Sequence, residues 1–556
     1  MPHAPGVPDV RYRSRPYVCG ALGDWDPRRL AELAGAAPVR VKRVFEHGGL
    51  VLLASPGTAP WRDGARRGRT WGALADGPAP RTWREATEDR MAAGAASGPE
   101  GAALHTDALG LQDLYYRRLG DALYFAARIE PLLPVGGARS RVDWGAWAST
   151  LAMSSPVDDR TPFEAVKRVR AAGAWTWRDG RLRWEGFEPS WTGEEPDPDL
   201  RPEAALGVLD QIVAPDRRTA LTLSGGWDSR LLGILATRRR KRMRAWTTSP
   251  DDGRDHDVAH APAVAEALGL RHTVLIPGDD AWAEHHAEVW RRTGYQTIYH
   301  TWLMPLAETI GRERVRLLDG LAGDVLFGGS YLSAETLAPT TPEGRRAAMR
   351  QRMERRRTQV KALLRPDVED AFEDLHADAL EGAVSRFDGH HAALTLGALH
   401  TRTCRSIGAS PMWVFAPETD VVLPFVHPEA VRTALRIPAE AKAGKAFYKR
   451  MLEAADPRTA ALPSTNDPAS GPLPPIGPRR QTGPAAIAAL TGRIRSSAPV
   501  LDLLDGDLRA DLLDPDVPDP VRGDTARFRI LTWAGLLAAW LEDFAPHLDL
   551  DGGARP

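Results

Sequence analysis

Apolar and polar positions follow two different patterns on either side of a polar, proline-rich stretch at residues 188–199. Before this stretch, short apolar runs separated by turn residues predict a region built from short strands. After it, apolar strands at 243–248 and 272–276 flank a helical pattern at 258–268. Strands that alternate with helices are typical of parallel βαβ units. The chain is therefore predicted to combine an α+β region with an α/β region.

Composition agrees with two domains and excludes several classes of protein. The chain has 556 residues, and because single hydrophobic cores stop growing near about 250 to 300 residues, we expect one domain at 1–195 and another at 200–556. A formal net charge of -1 provides no field that would recruit nucleic acid. Two cysteines are too few for a disulfide framework or a cysteine-rich zinc site. No apolar run reaches membrane-spanning length, so we expect a cytoplasmic protein without nucleic-acid or membrane partners.

One hexapeptide, Ser224-Gly225-Gly226-Trp227-Asp228-Ser229, lies between the apolar run 220–223 and the helical pattern 230–237. A strand, a glycine turn and a helix N-terminus direct backbone N–H groups and the positive end of a helix dipole at one point, which suits a phosphate. Asp228 fits such a site if it holds a divalent cation that neutralises the phosphate charge. The alternative is an ordinary strand-to-helix turn, which uses the same residue types.

The hexapeptide resembles the pyrophosphatase loop of the N-type ATP pyrophosphatases, which cleave ATP between the α- and β-phosphates. Residues 317–329 resemble the second nucleotide-site motif of the asparagine synthetase family, with Asp324 on its metal-binding aspartate. The resemblance implies ATP and Mg²⁺ as cofactors, with Asp228 and Asp324 as the metal ligands, because Mg²⁺ takes few protein carboxylates plus substrate oxygens. The residues that it assigns to ATP or pyrophosphate are Ser224, Gly225, Gly226, Asp228, Ser229, Thr247, Asp319 and Gly320.

A lysine completes the predicted catalytic set. Residues 444–450 resemble the family segment that carries a lysine on the α-phosphate, and Lys445 falls on it. A compact ammonium suits the charge that builds on phosphate and acyl oxygens during adenylation. Asp228, Asp324 and Lys445 are therefore the predicted catalytic residues, with a solvated surface lysine as the alternative for Lys445. Residues 424–427 resemble a family Pro-Phe-Leu-Asp segment in which His427 replaces the aspartate.

The first half resembles the glutaminase-type domain fused ahead of the synthetase in this family, on residues 107–116, 123–133 and 161–169. The resemblance implies an Ntn-type αββα sandwich, followed by a parallel-sheet synthetase domain of the adenine-nucleotide α-hydrolase-like (HUP) fold. A glutaminase of this kind needs a cysteine at the mature N-terminus, whose free α-amine acts as base. Here Cys19 follows eighteen residues, and no Asn-Gly-Glu-type glutamine-binding segment occurs. We predict that this domain is inactive and that Cys19 is a buried small hydrophobe.

Without ammonia, the synthetase half must use an amine that is already part of a substrate. Within the asparagine synthetase-like families, β-lactam and carbapenam synthetases and lasso peptide cyclases do so. The β-lactam group carries a tyrosine, and asparagine synthetases a glutamate, at the position of Leu321. A peptide α-amine, with a pKa of about 7.7 to 8.0, is partly neutral without a base. Residues 462–467 also resemble the stretch after the lysine region of lasso cyclases, so we predict a lasso peptide cyclase.

This prediction implies adenylation of an Asp or Glu side chain of a leader-free core peptide, followed by attack of the peptide N-terminus to form an isopeptide bond. The expected partners are the precursor peptide, a leader-binding protein and a leader peptidase. The alternatives are asparagine synthesis from free ammonia, a β-lactam synthetase-like activity and a degenerate binding protein. The basic runs 238–242 and 344–361 fit solvated helix faces better than docking surfaces. Residues 463–483, rich in Pro, Gly and Ser, predict a flap over the site.

Overall fold

The computed structural model describes residues 16–250, 253, 255–278, 280–298, 300–354, 360–466, 483–517, 519–522 and 524–550. The strands of the N-terminal region are β1 Val18–Gly23, β2 Lys42–His47, β3 Leu50–Ala54, β4 Ala59–Asp63, β5 Arg66–Trp71, β6 Ala93–Gly98, β7 Gly101–His105, β8 Tyr115–Leu119, β9 Ala122–Ala126, β10 Lys167–Arg168, β11 Gly173–Arg178 and β12 Arg181–Gly186. Its helices are α1 Pro27–Gly35, α2 Trp83–Glu88 and α3 Trp144–Met153.

These strands form two antiparallel six-stranded sheets, with the orders β10-β8-β9-β1-β3-β2 and β12-β11-β7-β6-β5-β4. The central strand β1 is apolar on both faces: Val18 and Leu22 pack toward the second sheet, and Cys19 packs on the opposite face with Leu33 of α1. Trp83 of α2 packs against the outer face of the second sheet. The layers are therefore helix, sheet, sheet, helix, and the assignment of this region to the Ntn group stays a prediction.

The second region contains a parallel sheet. Its strands are β13 Thr219–Thr222, β14 Arg244–Thr248, β15 Arg271–Leu275, β16 Arg316–Leu318 and β17 Asp420–Val422. Its helices are α4 Pro202–Ile212, α5 Trp227–Arg239, α6 His256–Ala267, α7 Ala281–Arg292, α8 Met304–Glu313, α9 Gly323–Leu326, α10 Ala334–Leu337, α11 Pro342–Met353, α12 Pro366–Val384, α13 Ala393–Ala398, α14 Pro428–Arg436, α15 Ala439–Lys442, α16 Ala446–Ala455, α17 Pro457–Ala460, α18 Pro484–Arg495, α19 Ala498–Leu501, α20 Gly506–Leu513 and α21 Thr525–Phe544. Between α13 and β17 the chain forms wide π-helical turns at Leu399–Ile407 and Ser410–Phe415.

The order of the parallel sheet fixes the place of its ligand site. The order is β15-β14-β13-β16-β17, so the chain moves outward from β13 on one side and returns to the other side at β16. Ligands of such sheets bind at the carboxyl ends of the strands where the order reverses. The two glycine-rich turns found in the sequence follow β13 and β16. The predicted βαβ units at 243–248, 258–268 and 272–276 are confirmed, with ends displaced by one or two residues.

The last helix of the described chain joins the two regions. Trp533 and Trp540 of α21 lie with ring centroids 6.3 and 5.3 Å from that of Trp147 in α3. The indole N–H of Trp533 also donates to the Trp147 carbonyl over 3.1 Å. One hydrophobic core thus includes side chains from both sides of the predicted boundary. Across the part of the chain that the structure describes, every helix is too short or too polar to cross a membrane.

Candidate active site

The loop after β13 has the predicted strand, turn and helix geometry. Helix α5 begins at Trp227, and Gly226 caps it in an extended conformation. Ser229, one turn into the helix, reaches back so that its hydroxyl lies 2.9 Å from the Ser224 backbone nitrogen and 3.0 Å from the Ser224 hydroxyl. The Gly226 N–H donates to the same Ser224 hydroxyl over 3.1 Å. The hexapeptide is therefore a compact turn at the switch point of the sheet.

Three side chains from distant elements already bind to this loop. The Gly225 N–H donates to a carboxylate oxygen of Asp257 over 2.9 Å, and the Trp227 N–H donates to the side-chain oxygen of Asn466 over 2.9 Å. The hydroxyl of Ser464 donates to the Gly225 carbonyl over 2.9 Å. The segment before residue 467 thus packs onto the phosphate loop, and the rest of the predicted flap, 467–482, lies outside the described residues.

Asp228 and Asp324 are brought together across the switch point. The Asp324 backbone N–H donates to one Asp228 carboxylate oxygen over 3.0 Å, and the Tyr448 hydroxyl donates to the other over 2.9 Å. A Cβ on Gly323 would lie 2.8 Å from the Asp228 carboxyl carbon, and one on Gly320 would lie 2.9 Å from the Asp228 Cβ. The second turn therefore needs glycine at these positions so that its backbone can approach Asp228.

Lys445 reaches the same pair from a third element. Its ammonium lies 2.8 Å from a carboxylate oxygen of Asp324, and both side chains are partly exposed. Ser330 donates to the other oxygen of Asp324. Lys445 adopts a left-handed conformation with a φ of 66° immediately before α16, and Tyr448 follows one helical turn later. This backbone turn directs Lys445 toward Asp324. A lysine that was only a solvated surface residue would not make this contact with a carboxylate.

The electrostatics favour a cation between the two aspartates. Burial and the neighbouring charge of Asp324 raise the pKa of Asp228 above its ordinary range. A divalent cation would relieve both the burial cost and the repulsion. The described residues contain no group of three or more His, Cys, Asp or Glu side chains arranged for a metal. Two carboxylates fit Mg²⁺, which completes its shell with water and phosphate oxygens, and do not fit a closed protein cage.

A cavity of about 470 Å³ opens beside these groups. The predicted residues that line it are Ser224, Asp228, Ser229, Thr247, Asp319, Gly320 and Asp324. The predicted Gly225, Gly226 and Lys445 are not among its lining residues. The two glycines lie in the loop, and Lys445 contacts Asp324. Thr247 donates its hydroxyl to the Leu223 carbonyl over 2.6 Å, so it also fixes the loop.

Apolar side chains and one cation also line the cavity. They are Trp302, Leu303, Phe415, Leu321 and Arg402. Arg402 donates to the Tyr331 hydroxyl over 2.9 Å and forms no ion pair with any described residue. The cavity therefore combines the carboxylates of Asp228 and Asp324 with a guanidinium that has no ion-pair partner in the described part of the chain.

Asp319 differs from the other acids of the cavity. It accepts the Leu321 N–H over 2.9 Å, and burial raises its pKa to about 6. Leu321 itself is almost fully buried. The turn thus has no acidic side chain at position 321, but it has Asp319 two residues earlier. The pKa of Asp319 is suited to proton transfer near neutral pH.

Sequence reasoning missed several residues of the site. Asp257 sits in the first turn of α6, after a strand end, and the rule that ligands gather at strand ends could have found it. Tyr448 lies within the quoted segment 444–450, one turn from Lys445. Asn466 and Arg402 carry no local signal, because only the tertiary fold places them at the loop and the cavity.

The cysteine of the N-terminal region is buried in this structure. Cys19 has no exposed surface, and burial raises the pKa of its thiol to about 12. It lies in the central strand β1 and pairs with Leu53 on one side and Ala126 on the other. The predicted burial of Cys19 is confirmed. Burial of this kind disfavours the thiolate, which is the reactive form of a cysteine.

The remaining sequence candidates take structural roles. His427 caps α14, where its ring accepts the Glu429 N–H over 3.3 Å, and it does not line the cavity. In the first basic run, Arg239 binds both carboxylate oxygens of Asp210. In the second, Arg346 pairs with Asp388, while residues 355–359 lie outside the described part. These arginines are therefore engaged within the fold.

Comparison with known proteins agrees with the geometry of the second region. Residues 207–459 match the family model described as "Asparagine synthase". Proteins described as "Putative asparagine synthetase [glutamine-hydrolyzing]" from Mycobacterium bovis and Mycobacterium tuberculosis are each 31% identical over 146 residues, which is 25% of this chain and 22% of each relative. The match thus spans about a fifth of the length of these curated relatives. The similarity to the asparagine synthase family therefore extends over residues 207–459, the part of the chain that holds the parallel sheet.

Proposed function

We propose that this chain is an ATP-dependent, AMP-forming ligase that makes an amide bond within one peptide, as a lasso peptide cyclase does. The convergence of Asp228, Asp324 and Lys445 at the switch point of the parallel sheet carries the proposal. The similarity to the asparagine synthase family supports ATP-dependent amide synthesis as the general chemistry. The restriction to a peptide rests on the features of the cavity and of Cys19 discussed below.

In the first step a carboxylate oxygen of the peptide attacks the α-phosphorus of ATP, the bond to the bridging oxygen breaks, and pyrophosphate leaves. The loop at 224–229 holds the pyrophosphate at the N-terminus of α5, where the N–H groups of Gly225 and Trp227 exchange Asp257 and Asn466 for phosphate oxygens. Lys445, released from Asp324, stabilises the charge on the α-phosphate oxygens. Mg²⁺ held by Asp228 and Asp324 would supply neutralisation of the phosphate charge. Tyr448 fixes the Asp228 carboxylate by its hydrogen bond.

In the second step the amine attacks the acyl carbon, the acyl–phosphate bond breaks, and AMP leaves with the amide as product. The amine must lose one proton. Asp319 lines the cavity and has a pKa raised to about 6, so at neutral pH its carboxylate is ionised and can accept that proton. Leu321 cannot take part in proton transfer, and Asp319 supplies the acid–base group in its place.

Two observations favour a tethered amine over ammonia from glutamine. The Cys19 thiol is buried within a central strand and held in its neutral form, so the N-terminal region has no nucleophile for glutamine. The cavity is also lined by Trp302, Leu303 and Phe415. Their side chains form an apolar surface that a peptide can cover and that free aspartate cannot. Holding both reacting ends of one peptide in this cavity would supply about 7 to 11 kcal/mol of the rate gain.

The test is ATP-dependent pyrophosphate release by the purified chain, followed by mass spectrometry of the products. One set of reactions contains a leader-free candidate peptide, and the other contains aspartate with ammonium or with glutamine. The proposal expects loss of one water from the peptide, AMP formation, and abolition of both by Asp228→Asn. Conversion of aspartate to asparagine, with the peptide unchanged, would overturn the peptide assignment and leave the ATP chemistry intact.

A further inference from the structure

A second and larger cavity lies away from the phosphate loop. It is a cleft of about 840 Å³ between the polypeptide that follows β12 and the end of α12 with the turns after it. None of its lining residues lines the catalytic cavity. The proposed reaction does not use it, and we refer to it as the interregion cleft.

One residue that lines the interregion cleft, Arg386, is a cation without an ion-pair partner among the described residues. The Arg386 guanidinium lies 4.6 Å from the centroid of the Phe387 ring and forms no ion pair or hydrogen bond with the described residues. The other arginine of the cleft, Arg170, is bound to Asp158 over 2.9 Å and to Asp159 over 3.1 Å. Because stacking uses the face of a guanidinium, the N–H groups at the edge of Arg386 remain available for a carboxylate.

A histidine stands beside this arginine with a nitrogen that has no partner. The His400 ring lies 5.1 Å from the Phe387 ring, and its Nδ1 is buried without a hydrogen bond to any described residue. Burial, followed by the nearby Arg386 charge, lowers the pKa of His400 well below its ordinary value. The imidazole is therefore neutral, and because its Nδ1 is buried, Arg386 is the group that can bind an anion in the cleft.

The cleft also carries acidic residues. Glu188 and Glu195 line it, and neither forms an ion pair with a described residue, whereas Glu194 binds Arg432 over 2.6 Å. Both carboxylates act on the ring of His390 and neither acts on Arg386, so the two glutamates lie apart from the arginine. Trp184 and Phe187 add aromatic surface. The cleft thus combines a site for an anion, an aromatic surface and a site for a cation.

The interregion cleft shares a wall with the catalytic cavity. His400 lines the cleft, while Arg402 and Thr403 line the cavity. All three belong to the π-helical segment Leu399–Ile407. Such wide turns occur mostly where function requires them. A ligand in the cleft therefore contacts the segment that also carries Arg402, a residue that lines the catalytic cavity.

We propose that the interregion cleft is a second binding site that takes a peptide segment carrying a carboxylate and, farther along, an ammonium group. The carboxylate binds Arg386 beside the neutral His400 ring, an apolar or aromatic side chain covers Phe387 and Trp184, and the ammonium faces Glu188 and Glu195. This inference deepens the proposed function, on which it rests for its peptide substrate. It assigns the cleft to a part of the peptide remote from the bond being formed.

The experiment measures binding without ATP. Fluorescein-labelled Asp-Trp-Gly-Gly-Lys amide is titrated with the full chain by fluorescence anisotropy, beside the neutral peptide Asn-Trp-Gly-Gly-Gln amide. We expect saturable binding of the charged peptide, and about tenfold or greater weakening in Arg386→Gln, since hydrogen bonds to charged groups contribute about 1.5 to 3 kcal/mol, which corresponds to about 12- to 160-fold. Equal binding of both peptides, equal binding by Arg386→Gln and wild type, or no binding at millimolar peptide would overturn the proposal.

A matched control and a second variant keep the two proposals separable. The control is Arg450→Gln, which removes an exposed guanidinium 5.9 Å from the centroid of the Phe447 ring, outside the cleft, and should bind like wild type. Asp228→Asn should bind the probe like wild type, because the cleft is separate from the phosphate loop. Probe binding that persists while pyrophosphate release fails would sink the proposed reaction alone. Normal pyrophosphate release without probe binding would sink the cleft proposal alone.

Discussion

The side-chain oxygen of Asn466 lies 2.9 Å from the backbone nitrogen of Trp227, across 239 positions of sequence. That nitrogen is the first of helix α5, which in the proposed mechanism faces the pyrophosphate. One N–H cannot fully serve an amide oxygen and a phosphate oxygen together. Nucleotide binding therefore has to exchange Asn466 for phosphate at this position.

The first prediction concerns this exchange. Asn466→Ala removes the competing acceptor and should tighten ATP·Mg²⁺ binding by about 2- to 12-fold, the equivalent of one hydrogen bond of about 0.5 to 1.5 kcal/mol. Isothermal titration calorimetry with ATP and Mg²⁺ measures the change. Thr465→Val, in the same segment but without a hydrogen bond to Trp227, is the control. Weaker binding in Asn466→Ala would show instead that Asn466 holds the loop in its receptive form.

The second prediction concerns Lys445. Lys445→Met should lower the rate of pyrophosphate release by about 10²- to 10³-fold, because it removes a preorganised charge from the transition state. Its unfolding free energy should change by about 1 kcal/mol or less, since the Lys445–Asp324 pair is partly exposed. Arg450→Met, on helix α16 just after Lys445, serves as the control for surface charge. A rate within about threefold of wild type would return Lys445 to the role of a surface lysine.

The third prediction is a pH dependence at Asp319. An acid whose pKa is raised to about 6 is protonated below that value, so a base function is lost as the pH falls through about 6. Asp319→Asn should slow amide formation by about 10²- to 10⁴-fold while ATP–pyrophosphate exchange continues. The ratio of wild-type to variant rates should rise with pH up to about 6 and then become constant. Taking this ratio removes the titration of the peptide amine, which is the same for both proteins. A ratio that does not change with pH would exclude Asp319 as the base.

The fourth prediction concerns stability in acid. Burial lowers the pKa of His105 to about 4, and the Thr87 hydroxyl, which donates to the Trp83 carbonyl, must accept from the His105 Nδ1. The His105 Nε2 is buried and has no partner among described residues. Backbone hydrogen bonds at Thr106 and Ala92 favour the protonated ring, but burial outweighs them, so the pKa is lowered.

The sign follows from where the protons bind. Between pH 6.5 and about 4 the unfolded chain binds a proton at His105 and the folded chain does not, so stability falls as the pH drops through this range, by up to about 1.4 kcal/mol per unit. Urea unfolding at a series of pH values should show this slope, and His105→Asn should reduce it. His47→Gln, at an exposed position, is the control, and an unchanged slope in His105→Asn would contradict the assignment.

The structure also shows which parts of the site could be predicted from sequence. The phosphate loop and the turn at 319–324 were predictable, because strand, glycine turn and helix are coded by neighbouring residues. The contacts that position Asp228 are not local: Tyr448 comes from 220 positions away. Asn466 likewise arrives from outside the motif. Patterns within a short segment cannot contain these contacts, since they depend on how α16 and the chain after α17 pack on the sheet.

The N-terminal region shows the same limit. The sequence predicted that Cys19 is a buried small hydrophobe because eighteen residues precede it, and the structure confirms the burial. That β1 is the central strand of its sheet, with neighbours β3 and β9 on its two sides, was not predictable from the motif. Strand order depends on pairings between segments that are distant in sequence, which a single segment does not encode.

The fifth prediction tests that burial. Cys19 and Cys404 are both buried, and burial raises the pKa of both thiols, so neither forms a reactive thiolate near pH 8. A thiol-specific reagent such as DTNB should leave the native chain unmodified while the unfolded chain releases two equivalents, one for each cysteine in the sequence. Cys404→Ala assigns any residual reaction. Rapid reaction of Cys19 in the native chain would mean that β1 opens and that the thiol is available.

The packing of α21 against α3 makes the hydrophobic core of the first half depend on side chains from α21. Trp533 and Trp540 complete the core around Trp147, so a chain growing on the ribosome cannot finish its N-terminal core until nearly all of it has been synthesised. The first half therefore cannot be deleted without exposing the apolar face of α21. Any shortened version for expression has to keep both α3 and α21.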